Sequence, residues 1–183
     1  MQDIVFPNNN ELQIIDMAKK LDLESLILVY PFQKYSAEIK DKFLKNSNIK
    51  IGLLCSEKQI KQAKNITNFV FVEKSQNFQR IVEKNKEIIL IGLEKQEERD
   101  FIHHRASGLN HVLCSLIKKN NISVAFSFNS TLSSDKKNMI IGKMKQNMRL
   151  CKKYKIKMIF ASFASESYEM RNYIDIKSFF NTL

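Results

Sequence analysis

Tryptophan is absent from this 183-residue chain, and glycine (4), cysteine (3) and proline (2) are scarce. So few glycines and prolines leave no composition for a long flexible linker. Cys55, Cys114 and Cys151 are odd in number, widely spaced and form no CxxC pair, which argues against a disulfide framework and a zinc site. Each stands in an apolar setting and reads as a small buried hydrophobe, which suits a reducing, cytoplasmic compartment. No apolar run approaches the length of a membrane span, and no basic segment leads into an apolar stretch with a cleavage site. Acidic residues are also few: 19 Asp and Glu face 30 Lys and Arg, for a formal charge of +11. That imbalance predicts a polyanionic partner, nucleic acid before membrane, and says nothing of fold.

What is present is a 44% hydrophobic chain with enough apolar material for one core, so residues 1–183 are expected to form a single domain. Short β-branched runs alternate with amphipathic patterns throughout. Strands are predicted over Asp3–Phe6, Ser25–Val29, Ile49–Leu54, Phe69–Val72, Ile88–Ile91, Ile122–Phe126 and Lys157–Phe160. Helices are predicted over Glu11–Leu21, Ser36–Leu44, Ser56–Lys64, Asn77–Lys84, Gly108–Lys119, Asp135–Lys153 and Asp175–Phe180, with Ser36 and Ser56 as N-caps. Helical crossovers between strands imply parallel pairing, and hence an α/β fold of about seven parallel strands. The pattern leaves open whether the sheet curls into a barrel or stays open with helices on both faces.

Ligands of such folds gather at the carboxyl ends of the strands. Here those ends offer hydroxyls and amides and few carboxylates, which leaves a metal-dependent phosphoesterase without its expected ligand cluster. Neighbouring His103 and His104 point to opposite sides in an extended segment, and His111 with Cys114 lacks a second ligand pair. There is no Gly-x-Ser-x-Gly elbow, no Gly-x-Gly-x-x-Gly and no phosphate loop ending in Gly-Lys-Ser/Thr. No catalytic residue, metal ligand or cofactor site is therefore assigned.

Binding signals are stronger. The run His103-His104-Arg105-Ala106-Ser107-Gly108-Leu109-Asn110-His111 leads into a helix whose free N–H groups, with Arg105 and Ser107 before them, would seat a phosphate. Lys136 to Lys157 holds nine Lys or Arg and no acid. On a helix, Ile140, Met144, Met148 and Cys151 share one face, and Lys145, Arg149 and Lys153 form a ridge on the other. Like charges at this spacing repel by a few tenths of a kcal/mol per pair, roughly, so the ridge is costly unless phosphates meet it. Arg171, after the small-residue loop Ser162-Phe163-Ala164-Ser165, either forks onto a phosphate or pairs with Glu166, Glu169 or Asp175.

Several of these segments together resemble the ribonuclease P protein component 3 family. They are the run from His103 to Leu113, Gln146-Asn147 with Arg149-Leu150-Cys151-Lys152-Lys153-Tyr154, Ala161-Ser162-Phe163-Ala164 with Met170-Arg171, and the opening Asp3-Ile4-Val5-Phe6-Pro7. The resemblance implies a distorted TIM-type (β/α) barrel related to the polymerase-and-histidinol-phosphatase superfamily, without that superfamily's metal ligands. It implies a protein subunit of ribonuclease P, in which the RNA removes the 5′ leader from precursor tRNA. The implied partners are ribonuclease P RNA, precursor tRNA, a small ferredoxin-like subunit and other ribonuclease P proteins. RNA contacts are expected at His103, His104, Arg105, Ser107, Lys145, Arg149, Lys153 and Arg171. The rival expectation is a metal-dependent phosphoesterase of the related barrel superfamily.

Overall fold

The structure is a computed structural model that describes residues 2–36, 43, 47–75, 78–95 and 105–183. Seven strands lie in one sheet in the order β1 to β7: Gln2–Val5, Ser25–Pro31, Ile49–Leu54, Phe69–Glu73, Ile89–Ile91, Ser123–Ser127 and Met158–Ala161. Among the described residues the helices are α1 (Glu11–Lys20), α2 (Ile60–Lys64), α3 (Phe78–Lys84), α4 (His111–Lys119), α5 (Asn129–Ser133), α6 (Lys137–Tyr154) and α7 (Tyr173–Asn181). Parallel strands in sequential order with helices between them make a nearly closed α/β barrel of the TIM type, the alternative that the resemblance implied. The chain packs as two compact units, Met1–Phe71 with Phe160–Thr182, and Val72–Ile159 with Leu183.

In the first unit β1, β2 and β3 pair in parallel, in the registers Gln2↔Ser25 to Val5↔Leu28 and Leu26↔Ile49 to Pro31↔Leu54. Gly52 of β3 is required by packing: a Cβ there would stand 2.7 Å from the Phe71 ring and 3.1 Å from Val29. The residues after β7 pair with β1. Val5 bridges Ala164, the Phe163 N–H donates to the Ile4 carbonyl at 2.8 Å, and the Phe6 N–H donates to the Ala164 carbonyl at 2.8 Å. Buried Asp3 reinforces this seam by accepting from the Ser162 N–H at 2.7 Å and the Ser162 hydroxyl at 2.6 Å. Desolvation raises the Asp3 carboxyl above its ordinary range, and its bonds to Ser162 and Ile4 oppose that rise. The core here is Val5, Ile14, Leu26, Leu28, Ile51, Ala164 and Met170 with their neighbours.

In the second unit β5 and β6 pair in parallel from Ile89↔Ser123. Helix α4 packs against α3 and α6, and α6 also packs against α5 and the 3-10 turn Leu93–Lys95. Asn110 caps α4 by accepting from the Leu113 N–H at 2.8 Å, so the helix starts at His111 and not at the predicted Gly108. Gly108 is left-handed at φ +91, and a Cβ there would meet the Leu93 carbonyl at 2.9 Å. At the far end of α6 the Lys118 ammonium donates to the Lys155 carbonyl at 2.9 Å, a cation placed where the helix dipole is negative. All three cysteines are buried. No helix among the described residues is long and apolar enough to cross a membrane.

Candidate nucleic-acid interface

Helix α6 builds the site. Its 18 residues bury Ile140, Met144, Met148 and Cys151 on one side, as the apolar spacing predicts. Arg149 and Lys153 are exposed and Lys145 is half-buried. The ridge thus runs along the side away from the core. Two further residues are fully buried, Lys143 and Asn147, both 0% exposed; the helical spacing singled out neither, and Asn147 entered only through the resemblance, without a role. They sit one turn apart at the flank of the apolar stripe, where a polar side chain needs a partner to be tolerated.

For Asn147 the partner is the loop before α4. Its Nδ2 donates to the Ser107 carbonyl at 2.7 Å. Neighbouring Gln146 holds the same loop from the rim of the helix. Its Oε1 accepts from the Arg105 N–H at 3.0 Å, and its Nε2 donates to the Arg105 carbonyl at 2.8 Å and to the Ser107 hydroxyl at 2.9 Å. One amide thereby satisfies both backbone groups of Arg105, as a neighbouring strand would. Ser107 faces inward at 1% exposure, so its hydroxyl anchors the loop and is not displayed to solvent. The Arg105 side chain is exposed and lies over Gly142 of α6. The loop and the ridge therefore form one surface on one unit. At the α4 terminus, the capping oxygen of Asn110 already takes one N–H of the predicted phosphate seat.

His103 and His104 lie outside the described residues. His111 is exposed, and its Nδ1 lies 2.9 Å from the Tyr154 hydroxyl. In the first unit, Arg171 is half-buried and clamps its own turn: Nη1 donates to the Tyr168 carbonyl at 2.7 Å and the Met170 carbonyl at 2.8 Å. Carbonyls, and not Glu166, Glu169 or Asp175, are the partners of this guanidinium among the described residues.

The rival chemistry has one buried carboxylate at a strand end in the second unit. Glu94, 1% exposed, follows β5 and accepts from the Ser130 hydroxyl at 3.3 Å, while its Oε2 has no partner among the described residues. It lines a cleft of about 290 Å³ with Lys95, Ser130, Ser133 and Lys136. Burial raises its carboxyl above the ordinary range. No group of three His, Cys, Asp or Glu among the described residues is arranged to hold a metal ion.

No family model matches the chain. The component 3 protein of ribonuclease P from Methanococcus vannielii is 25% identical over 186 residues, covering 98% of this chain and 72% of that protein. The component 3 protein of Methanococcus maripaludis strain C6 is 26% identical over 185 residues, with 92% and 77% covered. That of Methanocaldococcus jannaschii is 27% identical over 79 residues, with 42% and 34% covered. A chain in a cryo-EM structure of archaeal ribonuclease P with mature tRNA shares the fold. Its TM-score is 0.82 at 20% identity, over 100% of this chain and 82% of that one. With relatives of one name matching nearly its whole length, this chain is similar to the component 3 proteins of ribonuclease P, and the structural match shows that it shares their kind of barrel.

Proposed function

We propose that the chain is an RNA-binding protein subunit of ribonuclease P with no catalytic site of its own, and that it supports RNA-catalysed removal of the 5′ leader from precursor tRNA. The observation that carries this reading is the acid-free ridge of α6 beside a loop pinned so as to display Arg105. Arg105, Lys145, Arg149 and Lys153 meet backbone phosphates, and each contact releases counterions and adds to a salt-dependent affinity. Arg171 uses Nη1 on its own turn and has further N–H donors for a phosphate. His103 and His104 directly precede Arg105 in sequence and contact the same RNA; Ser107 acts through the loop it anchors. A surface of cations without a row of exposed aromatics reads folded RNA by shape and backbone.

The partners are ribonuclease P RNA and precursor tRNA, a small ferredoxin-like subunit and other ribonuclease P proteins, in the cytoplasm. The printed description of the structural relative, archaeal ribonuclease P with mature tRNA, supports the tRNA part of this assignment. The test is the Arg149→Ala variant bound to ribonuclease P RNA over a range of salt. Its log affinity against log salt should be shallower by about one unit, with an unchanged unfolding curve. Unchanged affinity and slope remove Arg149 from the interface. Cleavage of precursor tRNA by the chain free of RNA overturns the whole reading.

A further inference from the structure

We infer that the cleft at the end of β5, floored by Glu94 and rimmed by Lys95 and Lys136, is a binding site for one guanine nucleotide, with the base edge on the Glu94 carboxyl and the phosphate at the lysines. This site goes beyond the ridge and is separate from it: it stands or falls with Glu94, not with Lys145, Arg149 or Lys153.

Glu94 is the most buried of the residues that line the cleft, at 1% exposure, and so forms its floor. All of those residues belong to the second unit. The Glu94 Oε2 has no partner among the described residues, and Oε1 has a weak one. A hydroxyl carries a single proton, and that of Ser130 also donates to the Ser127 carbonyl at 2.8 Å, closer than the 3.3 Å to Glu94. Asp3 gives the contrast: equally buried, it takes three donors from Ile4 and Ser162. A buried carboxylate left so bare is costly unless a ligand brings N–H groups to it. Its protonation agrees, since desolvation raises the carboxyl and outweighs its own N–H, the Lys95 charge and Ser130.

The walls narrow the choice of ligand. Met139 and Ile140, from the first turn of α6, give an apolar side, and Lys95 and Lys136 are exposed beside it. Two ammonium groups next to one carboxyl repel a cation and draw an anion. The complementary molecule is flat, with N–H donors at one edge and an anionic group at the other. A nucleotide has that form. Among the four RNA bases only guanine sets two adjacent N–H donors on its Watson–Crick edge, one for each carboxylate oxygen. Adenine and cytosine place an acceptor beside the amino group, and uracil has one N–H between two carbonyls. The volume of about 290 Å³ stands at the lower end of small-ligand sites, about 300–1,000 Å³, which suits one nucleotide.

The test titrates GMP, AMP, CMP and UMP into the full chain and follows backbone amide shifts by NMR. GMP should move the amides of Glu94, Ser130 and Ile140 and bind roughly ten- to hundredfold more tightly than AMP. Glu94→Gln exchanges one acceptor for a donor at nearly unchanged volume; it should lose at least roughly tenfold in GMP affinity and keep its AMP affinity. Lys95→Ala should weaken GMP roughly two- to fivefold and guanosine not at all; equal losses for both overturn the phosphate placement. The RNA pentamers AAGAA and AAAAA identify the source. AAGAA binding in the cleft at least as tightly as GMP, with AAAAA not binding there, assigns the base to RNA. AAGAA binding more weakly than GMP assigns a free nucleotide. Both results uphold the site. GMP that moves no amide near Glu94, equal affinities for GMP and AMP, or a Glu94→Gln chain that binds GMP like the native one overturns it. The nucleotide series on the native chain decides the matter even where a variant fails to fold. Loss of the site leaves the ridge untouched, because Arg149→Ala is read with ribonuclease P RNA.

Discussion

Replacing Asp3 with alanine removes a carboxylate that ties the first strand to the residues after the last. Three donors lose their acceptor: the Ile4 N–H at 2.9 Å, the Ser162 N–H at 2.7 Å and the Ser162 hydroxyl at 2.6 Å. Asp3 is 1% exposed and Ser162 0%, so water does not replace the carboxylate without opening the seam. A buried donor left unsatisfied costs about 1–3 kcal/mol, and some relaxation offsets the sum, which gives an expected loss of about 3–5 kcal/mol. Against a typical stability of about 5–15 kcal/mol that is a large fraction. Asp3→Asn keeps one acceptor oxygen and should lose about half as much. The pH dependence has a definite sign. Burial raises the carboxyl in the folded state, so its contribution is complete below the unfolded value and fades as pH climbs through the folded one. Wild type should therefore lose stability relative to Asp3→Asn as pH rises out of the acid range. Urea unfolding followed by circular dichroism, repeated at several pH values, measures both effects. An Asp3→Ala loss below about 0.5 kcal/mol, within the range of ordinary surface substitutions, refutes the seam argument. A wild type that gains on Asp3→Asn with rising pH refutes the desolvation argument.

Gln146→Ala removes three bonds that pin residues 105–107 and removes no charge. RNA affinity should fall roughly two- to tenfold with an unchanged salt slope; a shallower slope in filter binding would reject this positioning role. For Glu94, whose carboxyl burial raises, wild type should lose stability relative to Glu94→Gln as pH rises from the carboxylate range to neutrality. Parallel thermal unfolding curves for the two chains across that range contradict it. Burial pushes the thiols of Cys55 and Cys114 up to about 11 and that of Cys151 up to about 12. At pH 8 the native chain should react with a disulfide reagent roughly a hundredfold more slowly than the unfolded chain, and one fast native thiol contradicts this.

Strand periodicity made the barrel elements legible almost to the residue: Ile49–Leu54 has the predicted bounds, and the other strands shift by one or two positions. Helix ends were harder, because they depend on partners distant in sequence. Ser56 is held as its position suggested, with the Gln59 side chain accepting from its N–H and hydroxyl. Gly108 instead belongs to the loop, since Leu93 crowds it and Asn110 supplies the cap. Asn129–Ser133 is a short helix of weak helix formers; its sequence shows no apolar periodicity, and Ser127 and Ser130 stabilise it locally. At the site, the apolar stripe and basic ridge of α6 were visible as spacing alone. The anchors were not. Gln146 and Asn147 matter through contacts some forty residues away, and Ser107 looks like a ligand residue until its burial is known. The one sequence signal was the adjacent amide pair at the edge of an apolar stripe, where lysine or glutamate would be the cheaper choice.

The composition of α6 makes sense only when its two sides are weighed together. A helix selected for stability alone would carry alanine at 142 and acids among Lys145, Arg149 and Lys153. This one forgoes both, yet keeps an apolar face of Ile140, Met144, Met148 and Cys151 that is fully buried or nearly so. Its stability is thus supplied by packing, which leaves the ridge of Lys145, Arg149 and Lys153 without a structural duty. That separation explains how a repulsive row of cations persists on a well-anchored helix. It also fixes what substitutions there should do: changes on the outer face alter affinity for a polyanion and leave the fold intact, and changes on the inner face do the reverse. A ridge residue whose removal unfolds the chain would contradict this division at its root.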